Sequence, residues 1–359
     1  MAVVIAIVVF CVIILLHEFG HFIAAKLCGI YVREFAFGMG PVILKKQGKE
    51  TTYALRALPI GGSCSFEEDL GEDTDSEGNV VQTPPNPRAF NRKPVWKRMI
   101  VILAGPLMNL ILGYIVVVIS LCSSTAMAST TIAEFRERSV SSNALHVDDE
   151  ILSIDGTTIF SISDVTYKLQ NSDRRTEDGN LVFDITVRRN GEKITLKDVE
   201  FMTMENSDGS TGIYFDFKVY GLEKTFLNVA GEAFRECAST ARLIFMTLID
   251  LIRGKYGLNT LSGPIGVGTV IAEAVSKYTF SDFMYVVSLI TINVGVFNLV
   301  PIPALDGCRF IFLVVEAIRR KPVRPQVEGM VHFVGFVLLM LIMVVAMYND
   351  IARLVTGGL

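Results

Sequence analysis

The stretch AVVIAIVVFCVIILLHEFGHFIAAK, residues 2–26, is an apolar run that contains His17, Glu18 and His21 and ends at Lys26. A helix of about 20 apolar residues can cross a hydrocarbon core, and this run is long enough to do so. His17 and His21 stand one helical turn apart on the same face, so both can bind a single zinc ion. Glu18 is then near enough to act on a water molecule beside the metal. The stretch therefore predicts a zinc site inside a transmembrane helix.

The alternative interpretation is that hydrogen bonds within a helix bundle satisfy both histidines. Burying three polar side chains in an apolar helix without compensation is costly, and ionisable residues inside membrane spans usually serve a function. We therefore favour the metal site. The segment lacks a basic start, a short apolar stretch and a small-residue cleavage site, so it is predicted to be a retained span and not a removed signal peptide.

The composition agrees with a membrane protein. Of the 359 residues, 51% are hydrophobic, and the mean hydropathy is +0.46, which is too apolar for an ordinary soluble domain. The net charge of −4 offers no basic excess, so a nucleic-acid partner is not expected. The six cysteines show no CxxC spacing and are interpreted as buried apolar residues or free thiols. The first partner to expect is the lipid bilayer.

Four segments are apolar and long enough to cross a membrane, which predicts a polytopic α-helical membrane protein with four transmembrane helices and an inserted small β-rich domain. The predicted order is helix 1 (1–28), a cytoplasmic loop with a membrane-associated hairpin (29–98), helix 2 (99–124), the β-rich domain (125–220), an amphipathic surface helix and linker (221–281), helix 3 (282–308), a cytoplasmic connection (309–330), helix 4 (331–349) and a C-terminal tail (350–359).

Lysine and arginine residues concentrate in the segments 26–98 and 304–331. Such residues near span ends mark the cytoplasmic side, so the β-rich region is predicted to lie outside.

Asp306 is the best candidate for a third zinc ligand, since catalytic zinc usually has three protein ligands. It lies in NLVPIPALDG, residues 298–307, whose two prolines must interrupt the third apolar span near the membrane edge. His146 and His332 are alternatives, but neither has a carboxylate or histidine partner in register. Asp306 could also be only a helix-capping aspartate.

Three motifs together resemble the site-2 protease family of intramembrane zinc metalloproteases. They are HEFGH (17–21), AGPLMN (104–109) and NLVPIPALDG (298–307), and the β-rich region between the last two is similar to a single PDZ domain. Their order is that of the bacterial branch that includes the regulator-of-sigma-E protease. By themselves, Gly105 and Asn109 of the second motif fit helix packing as well as a substrate-facing role.

The resemblance implies Zn²⁺ held by His17, His21 and Asp306, with Glu18 as the general base. It also implies substrate contacts from two places, the NLVPIPALDG loop and the edge of a hairpin at 52–62; the residues are Asn298, Pro301, Pro303, Tyr53, Leu55, Pro59, Gly61 and Gly62. The expected location is the bacterial cytoplasmic membrane, with the active site toward the cytoplasmic side.

The expected function is hydrolysis of peptide bonds within or near the transmembrane segments of single-span membrane proteins, such as anti-sigma factors or signal-peptide remnants. The PDZ-like domain is expected to bind a peptide or protein ligand. One alternative is a membrane scaffold with a merely structural zinc ion. Another is a metal transporter, which would need further ligands along a path.

Overall fold

The computed structural model describes residues 2–67, 73–74, 80–81, 86–171, 174–176, 179–205, 211–254, 262–277 and 279–356. The chain divides into a helical unit, residues 1–116 and 247–359, and a β-rich unit, residues 117–246.

Within the described residues the helices are α1 (Ala2–Leu27), α2 (Val95–Ser123), α3 (Ile162–Gln170), α4 (Phe226–Ile252), α5 (Pro264–Lys277), α6 (Phe280–Leu299), α7 (Asp306–Arg319) and α8 (Pro325–Thr356). The strands are β1 (Val32–Gln47), β2 (Thr52–Phe66), β3 (Asp73–Thr74), β4 (Val80–Val81), β5 (Met127–Phe135), β6 (Glu150–Ile154), β7 (Thr157–Thr158), β8 (Leu181–Arg189), β9 (Glu192–Phe201), β10 (Thr203–Glu205), β11 (Thr211–Ile213) and β12 (Phe217–Leu222).

Four of these helices, α1, α2, α6 and α8, are long and apolar enough to cross a membrane. At this level the prediction of four spans with an inserted β-rich region is confirmed. The third helix ends at Leu299 and not at the predicted 308. Pro301 and Pro303 follow directly, and neither can donate the backbone hydrogen bond that would continue the helix.

Two helices of the helical unit were not predicted. Helix α7 begins at Asp306 in a segment predicted as the end of helix 3 and a connection. Helix α5 lies against α1 and α6 in a segment predicted as linker. The buried carboxylate of Asp350 on α8 accepts hydrogen bonds from the backbone N–H groups of Gly263 (3.1 Å) and Gly266 (2.8 Å), which caps the start of α5. Helix α8 begins at Pro325, earlier than the predicted 331.

The β1–β2 hairpin folds back on itself and forms four paired segments. Phe35 pairs with Tyr53 on one side and with Cys64 on the other, and Tyr53 also pairs with Lys46. The segments therefore lie in the order 42–47, 52–56, 32–37 and 62–66. The bend of β2 passes through Gly61, whose φ of 88° is in the left-handed region that favours glycine.

The β-rich unit is built on a six-stranded sheet. Its strand order is β12-β5-β6-β8-β9, with β7 paired to β6, and α3 packs against it. The core contains apolar side chains from both, including Ile151, Phe183 and Leu169. The stretches predicted as strands from their alternating pattern, TTIAEF, EILSIDGTTI, LVFDITVRRNGEKITL and TGIYFDF, contain the strands β5 to β9 and β11.

Within the β-rich unit, α4 turns its polar face toward α3. Asp164 accepts hydrogen bonds from Ser239 (2.6 Å) and pairs with Arg242 (2.7 Å), while Ser163 donates to Glu236 (2.7 Å). The apolar side chain of Phe234 is 70% exposed. The predicted amphipathic helix is present, and its polar face is the one that packs.

Candidate metal centre

The three predicted ligands meet in the helical unit. His17 and His21 are on α1, and Asp306 is the first residue of α7. Oδ2 of Asp306 lies 3.1 Å from Nε2 of His17 and 3.2 Å from Nε2 of His21. The two Nε2 atoms are 3.2 Å apart. Among the described residues, this is the one cluster of three or more histidine, cysteine or carboxylate side chains with metal-site spacing.

These distances fit a zinc ion. Tetrahedral zinc with nitrogen and oxygen ligands at roughly 2.0–2.2 Å keeps its ligand atoms about 3.3 Å apart. Oδ2 of Asp306 is buried and has no hydrogen-bond partner among the described residues. Such an atom is costly to bury unless something else binds it. The donor set and the unpartnered oxygen both fit a cation bound between the three side chains.

A close crossing of α1 and α2 seats the histidines. A Cβ atom added at Gly105 would lie 2.2 Å from Nε2 of His21, so only glycine leaves room for the imidazole. A Cβ atom added at Gly20 would lie 2.4 Å from the carbonyl oxygen of Ala104. Gly20 and Gly105 therefore let the two backbones approach closely enough for α2 to support the site.

Two groups on α2 contact the histidine ring atoms that point away from Asp306. Nδ1 of His21 lies 2.8 Å from the carbonyl oxygen of Val101. Nδ1 of His17 lies 3.3 Å from the side-chain amide of Asn109. Val101, Gly105 and Asn109 are spaced by four residues and so share one face of α2.

The segment that carries Asp306 is held by α8. The backbone N–H of Ala304, a residue with a φ of 75°, donates to Nδ1 of His332 (3.1 Å). A Cβ atom at Gly335 would lie 2.1 Å from Cβ of Pro303, so α8 contacts the loop closely. His332 supports the loop and is outside the ligand cluster. His146 is in the β-rich unit, where its backbone N–H donates to Asp149.

Helix α7 is tied to α2 by a buried ion pair. Arg98 donates two hydrogen bonds to Glu316, at 3.0 and 2.5 Å. A cavity of about 740 Å³ lies between the start of α7 and α8 and is open to Asp306. Its polar lining includes Arg98, Arg309, Glu316, Glu328 and His332. The cavity therefore borders the residue that carries Oδ2 of the ligand cluster.

Glu18 lies beside the edge of the hairpin. A Cβ atom added at Gly62 would lie 3.1 Å from Cγ of Glu18, so the hairpin edge touches the proposed base. At the hairpin turn, Glu50 accepts hydrogen bonds from Arg88 (2.5 Å) and Lys26 (2.9 Å), which lower the pKa of Glu50 to about 2. These contacts fix the hairpin against the end of α1.

The predicted substrate residues fall in two places. The prediction that 52–62 forms one free edge is wrong for Tyr53 and Leu55, because segment 52–56 is paired on both sides. Gly62 begins the segment 62–66, which is paired only with 32–37 among the described residues, and Gly61 precedes it at the bend of β2. The side chain of Pro59 lies outside the described part of the structure.

The remaining candidates lie at the end of α6 and in the loop that follows. Asn298 donates to the carbonyl oxygen of Val294 (2.9 Å) within its own helix. Pro301 is exposed, and Pro303 faces Gly335.

Sequence reasoning missed the supporting groups of the site. The contact of His332 with the loop that carries Asp306 was not predicted, and Asn109 was considered only as a packing or substrate-facing residue. The spacing of Gly105 and Asn109 by four residues was a usable signal, because it places both on one helix face. The partner of that face depends on how α1 and α2 cross, which the local pattern does not contain.

Comparison with known proteins shows similarity along almost the entire chain. The sequence pattern of Peptidase family M50 matches residues 5–342. The zinc metalloprotease RasP of Shouchella clausii is 31% identical, in an alignment that covers 97% of this chain and 98% of the relative. The zinc metalloprotease RasP of Geobacillus kaustophilus is 30% identical, with 97% of both chains covered. The regulator of sigma-W protease RasP of Bacillus subtilis is 27% identical, also with 97% of both chains covered.

Proposed function

The chain belongs to peptidase family M50, the site-2 proteases, and from that premise we propose that it cuts membrane-protein substrates within or near their transmembrane segments. It is a zinc metalloprotease and a multi-pass membrane protein. One observation carries the proposal: His17, His21 and Asp306 converge within 3.2 Å of one another on helices of an apolar unit, with Glu18 adjacent.

The proposed roles follow from the chemistry of each group. His17, His21 and Asp306 hold the zinc ion. Zinc, when bound, is a Lewis acid toward the scissile carbonyl and the attacking water. The Glu18 carboxylate accepts a proton from that water and then passes it to the leaving amine. The cavity beside Asp306 provides the water.

A transmembrane substrate must unwind before it is cut, because helical hydrogen bonds occupy its carbonyl groups. We place the unwound strand against segment 62–66 of the hairpin, whose outer edge is next to Glu18 and can pair as in β-augmentation. Asn298, Pro301 and Pro303 are proposed to contact the same strand from the other side. Asn298 would do so through its amide oxygen, since its amide nitrogen donates to Val294.

The substrate class is proposed to be single-span membrane proteins. The Bacillus subtilis relative is named a regulator of sigma-W protease, which favours anti-sigma factors as substrates of this chain. Signal-peptide remnants are the second candidates. We propose that the active site faces the cytoplasmic side of a bacterial membrane and that the β-rich unit lies outside, since lysine and arginine concentrate in segments 26–98 and 304–331.

The β-rich unit is proposed to be a PDZ-like domain that binds a peptide or protein ligand. On α4 of this unit, the side chains of Leu227, Phe234 and Phe245 form an exposed apolar stripe, and we expect this stripe to contact the bilayer surface.

The test is cleavage of a panel of single-span membrane proteins by the purified full chain and by Glu18→Gln. Loss of the base should lower the rate by about 1,000-fold while zinc remains bound. The matched control is Glu273→Gln, which removes an exposed carboxylate on α5 and should cleave like the wild type. Retained turnover in Glu18→Gln would contradict the mechanism. A wild-type chain that binds the panel and cuts none of it would favour the scaffold with a structural zinc ion.

A further inference from the structure

Two groups on α2 contact the histidine rings. The group at His21 is the carbonyl oxygen of Val101, an acceptor, whereas the group at His17 is the amide nitrogen of Asn109, a donor. Nδ1 of His21 faces the backbone carbonyl of Val101 at 2.8 Å. A carbonyl oxygen only accepts hydrogen bonds, so His21 must carry its proton on Nδ1. In a neutral imidazole the other nitrogen, Nε2, is then a lone-pair donor. That is the nitrogen that faces Asp306. Val101 thus sets His21 in the tautomer that can bind a metal.

His17 has the same requirement. Its Nε2 lies 3.1 Å from Oδ2 of Asp306 and must offer a lone pair there if it is to bind zinc. Its proton then belongs on Nδ1, and this N–H needs an acceptor. Asn109 is fully buried, and its side chain lies 3.3 Å from that nitrogen.

The amide nitrogen of Asn109 lies toward Nδ1 of His17, and this arrangement conflicts with metal binding. A donating amide nitrogen would require Nδ1 to accept, which would leave the proton on Nε2, inside the ligand cluster. At the same time, Oδ1 of Asn109 is buried and has no hydrogen-bond partner among the described residues. Side-chain amide oxygen and nitrogen atoms are assigned from their hydrogen bonds. Exchanging the two places the oxygen against Nδ1 of His17.

We propose that Asn109 is a positioning residue that accepts a hydrogen bond from Nδ1 of His17 through its amide oxygen and so fixes the tautomer that binds zinc. The proposal rests on the zinc site proposed above. It gives α2 a defined role: Val101 orients His21, Asn109 orients His17, and Gly105 between them leaves room for the His21 ring. Ligating histidines commonly donate their second ring N–H to an oxygen in this way, and removing such a partner costs about 10- to 100-fold in metal affinity.

The test compares zinc retention in full-length variants purified in detergent. Asn109→Leu keeps the approximate size of the side chain and removes the acceptor, and Asn109→Asp keeps an oxygen in place. We expect Asn109→Leu to weaken zinc binding by about 10- to 100-fold in competition with a chelator. Asn109→Asp should bind zinc at least as tightly as the wild type. The visible spectrum of the Co²⁺-loaded protein should change in Asn109→Leu and be retained in Asn109→Asp.

Control variants distinguish the proposed role of Asn109 from a general packing effect and from an error in the choice of zinc ligands. Thr291→Val removes a buried hydroxyl that donates to the carbonyl of Val287 on α6, and its zinc binding should equal that of the wild type. If Asn109→Leu does not fold, Asn109→Ala supplies a second side chain without an acceptor. Wild-type zinc affinity in Asn109→Leu, or equal weakening in Asn109→Asp, would overturn the role of Asn109. Zinc retained by His17→Phe would instead overturn the ligand set.

Discussion

Two carboxylates, Asp216 in the β-rich unit and Asp306 in the helical unit, have opposite surroundings. In the β-rich unit, Asp216 accepts hydrogen bonds from the hydroxyls of Ser139 and Ser141 and from the backbone N–H groups of Val140 and Ser141, at 2.8–3.0 Å. In the helical unit, Oδ2 of Asp306 is buried with no hydrogen-bond partner among the described residues.

The number of hydrogen bonds that each carboxylate accepts distinguishes a structural site from a candidate functional site. A buried charge that is fully hydrogen-bonded stabilises one local conformation, and the loop at 139–141 is an example. A buried oxygen that faces two imidazoles without a donor is stable only when a ligand completes it. The two kinds of site should therefore respond differently to mutation, to zinc removal and to pH.

Among the tests of this difference, Gly105→Ala is expected to have the largest effect. The added methyl group would overlap the imidazole of His21 and displace it from the other ligands. Misplacement by about 1 Å can cost 100-fold in rate, so we expect zinc occupancy and cleavage to fall by about that factor. The matched control is Gly268→Ala, because a Cβ atom there meets nothing within 4 Å. Metal content and cleavage of a model substrate measure both. Unchanged zinc content in Gly105→Ala would be inconsistent with the described α1–α2 crossing.

Zinc removal should affect the helical unit alone. A ligand present at about 1,000 times its dissociation constant stabilises the state that binds it by about 4 kcal/mol. Chelation should therefore increase hydrogen exchange in the full chain around residues 13–25 and 298–310. The amides of β5, β6 and β8 serve as the internal control and should keep their protection. Equal loss of protection in both units would show that zinc does not stabilise the segment around Asp306 more than the rest of the chain.

The candidate ligands were easier to find in the sequence than the groups that contact them. His17, Glu18, His21 and Asp306 could be found because each is a polar interruption of an apolar segment, which is a local property. The double pairing of Phe35 in the hairpin and the contact of Asn109 with His17 join residues far apart in the chain. No periodicity within one segment reports such contacts.

The face of α4 that packs against α3 also could not be predicted from the sequence. Its amphipathic pattern is local and was found, but the pattern alone does not say which face is covered. Asp164 and Ser163 on α3 supply partners for Arg242 and Glu236, and these contacts draw the polar face inward. The apolar face, with Phe234, is left exposed.

A smaller effect, confined to the β-rich unit, is expected from Asp216→Ala. The substitution leaves the backbone N–H groups of Val140 and Ser141 without their acceptor. We expect a loss of about 2–4 kcal/mol in the stability of this unit, seen as faster exchange of the β5 and β8 amides in the full chain. Glu134→Ala, which breaks an exposed ion pair with Lys218, should leave the stability of the unit nearly unchanged because solvent screens the pair. Zinc content should be unchanged in both variants. A change in zinc content for Asp216→Ala would contradict the separation of the two kinds of carboxylate.

The smallest effect is expected from pH, through Asp149. Burial raises the pKa of this carboxyl, but the guanidinium of Arg189 and the backbone N–H of His146 outweigh burial and hold the pKa below its usual value of 3.8. A carboxyl with a lowered pKa in the folded state stabilises that state above its usual pKa, and the contribution is lost as the pH falls through the folded pKa. Hydrogen-exchange protection of the β6 and β8 amides should therefore be constant from neutral pH to about pH 4 and decrease at lower pH.

In Asp149→Asn the ion pair is absent at every pH. The β-rich unit of this variant should therefore be less stable at pH 7, and its stability should change less between pH 4 and pH 3. If acid weakens the wild type and the variant by the same amount, the ion pair with Arg189 contributes nothing to the acid sensitivity of the β-rich unit.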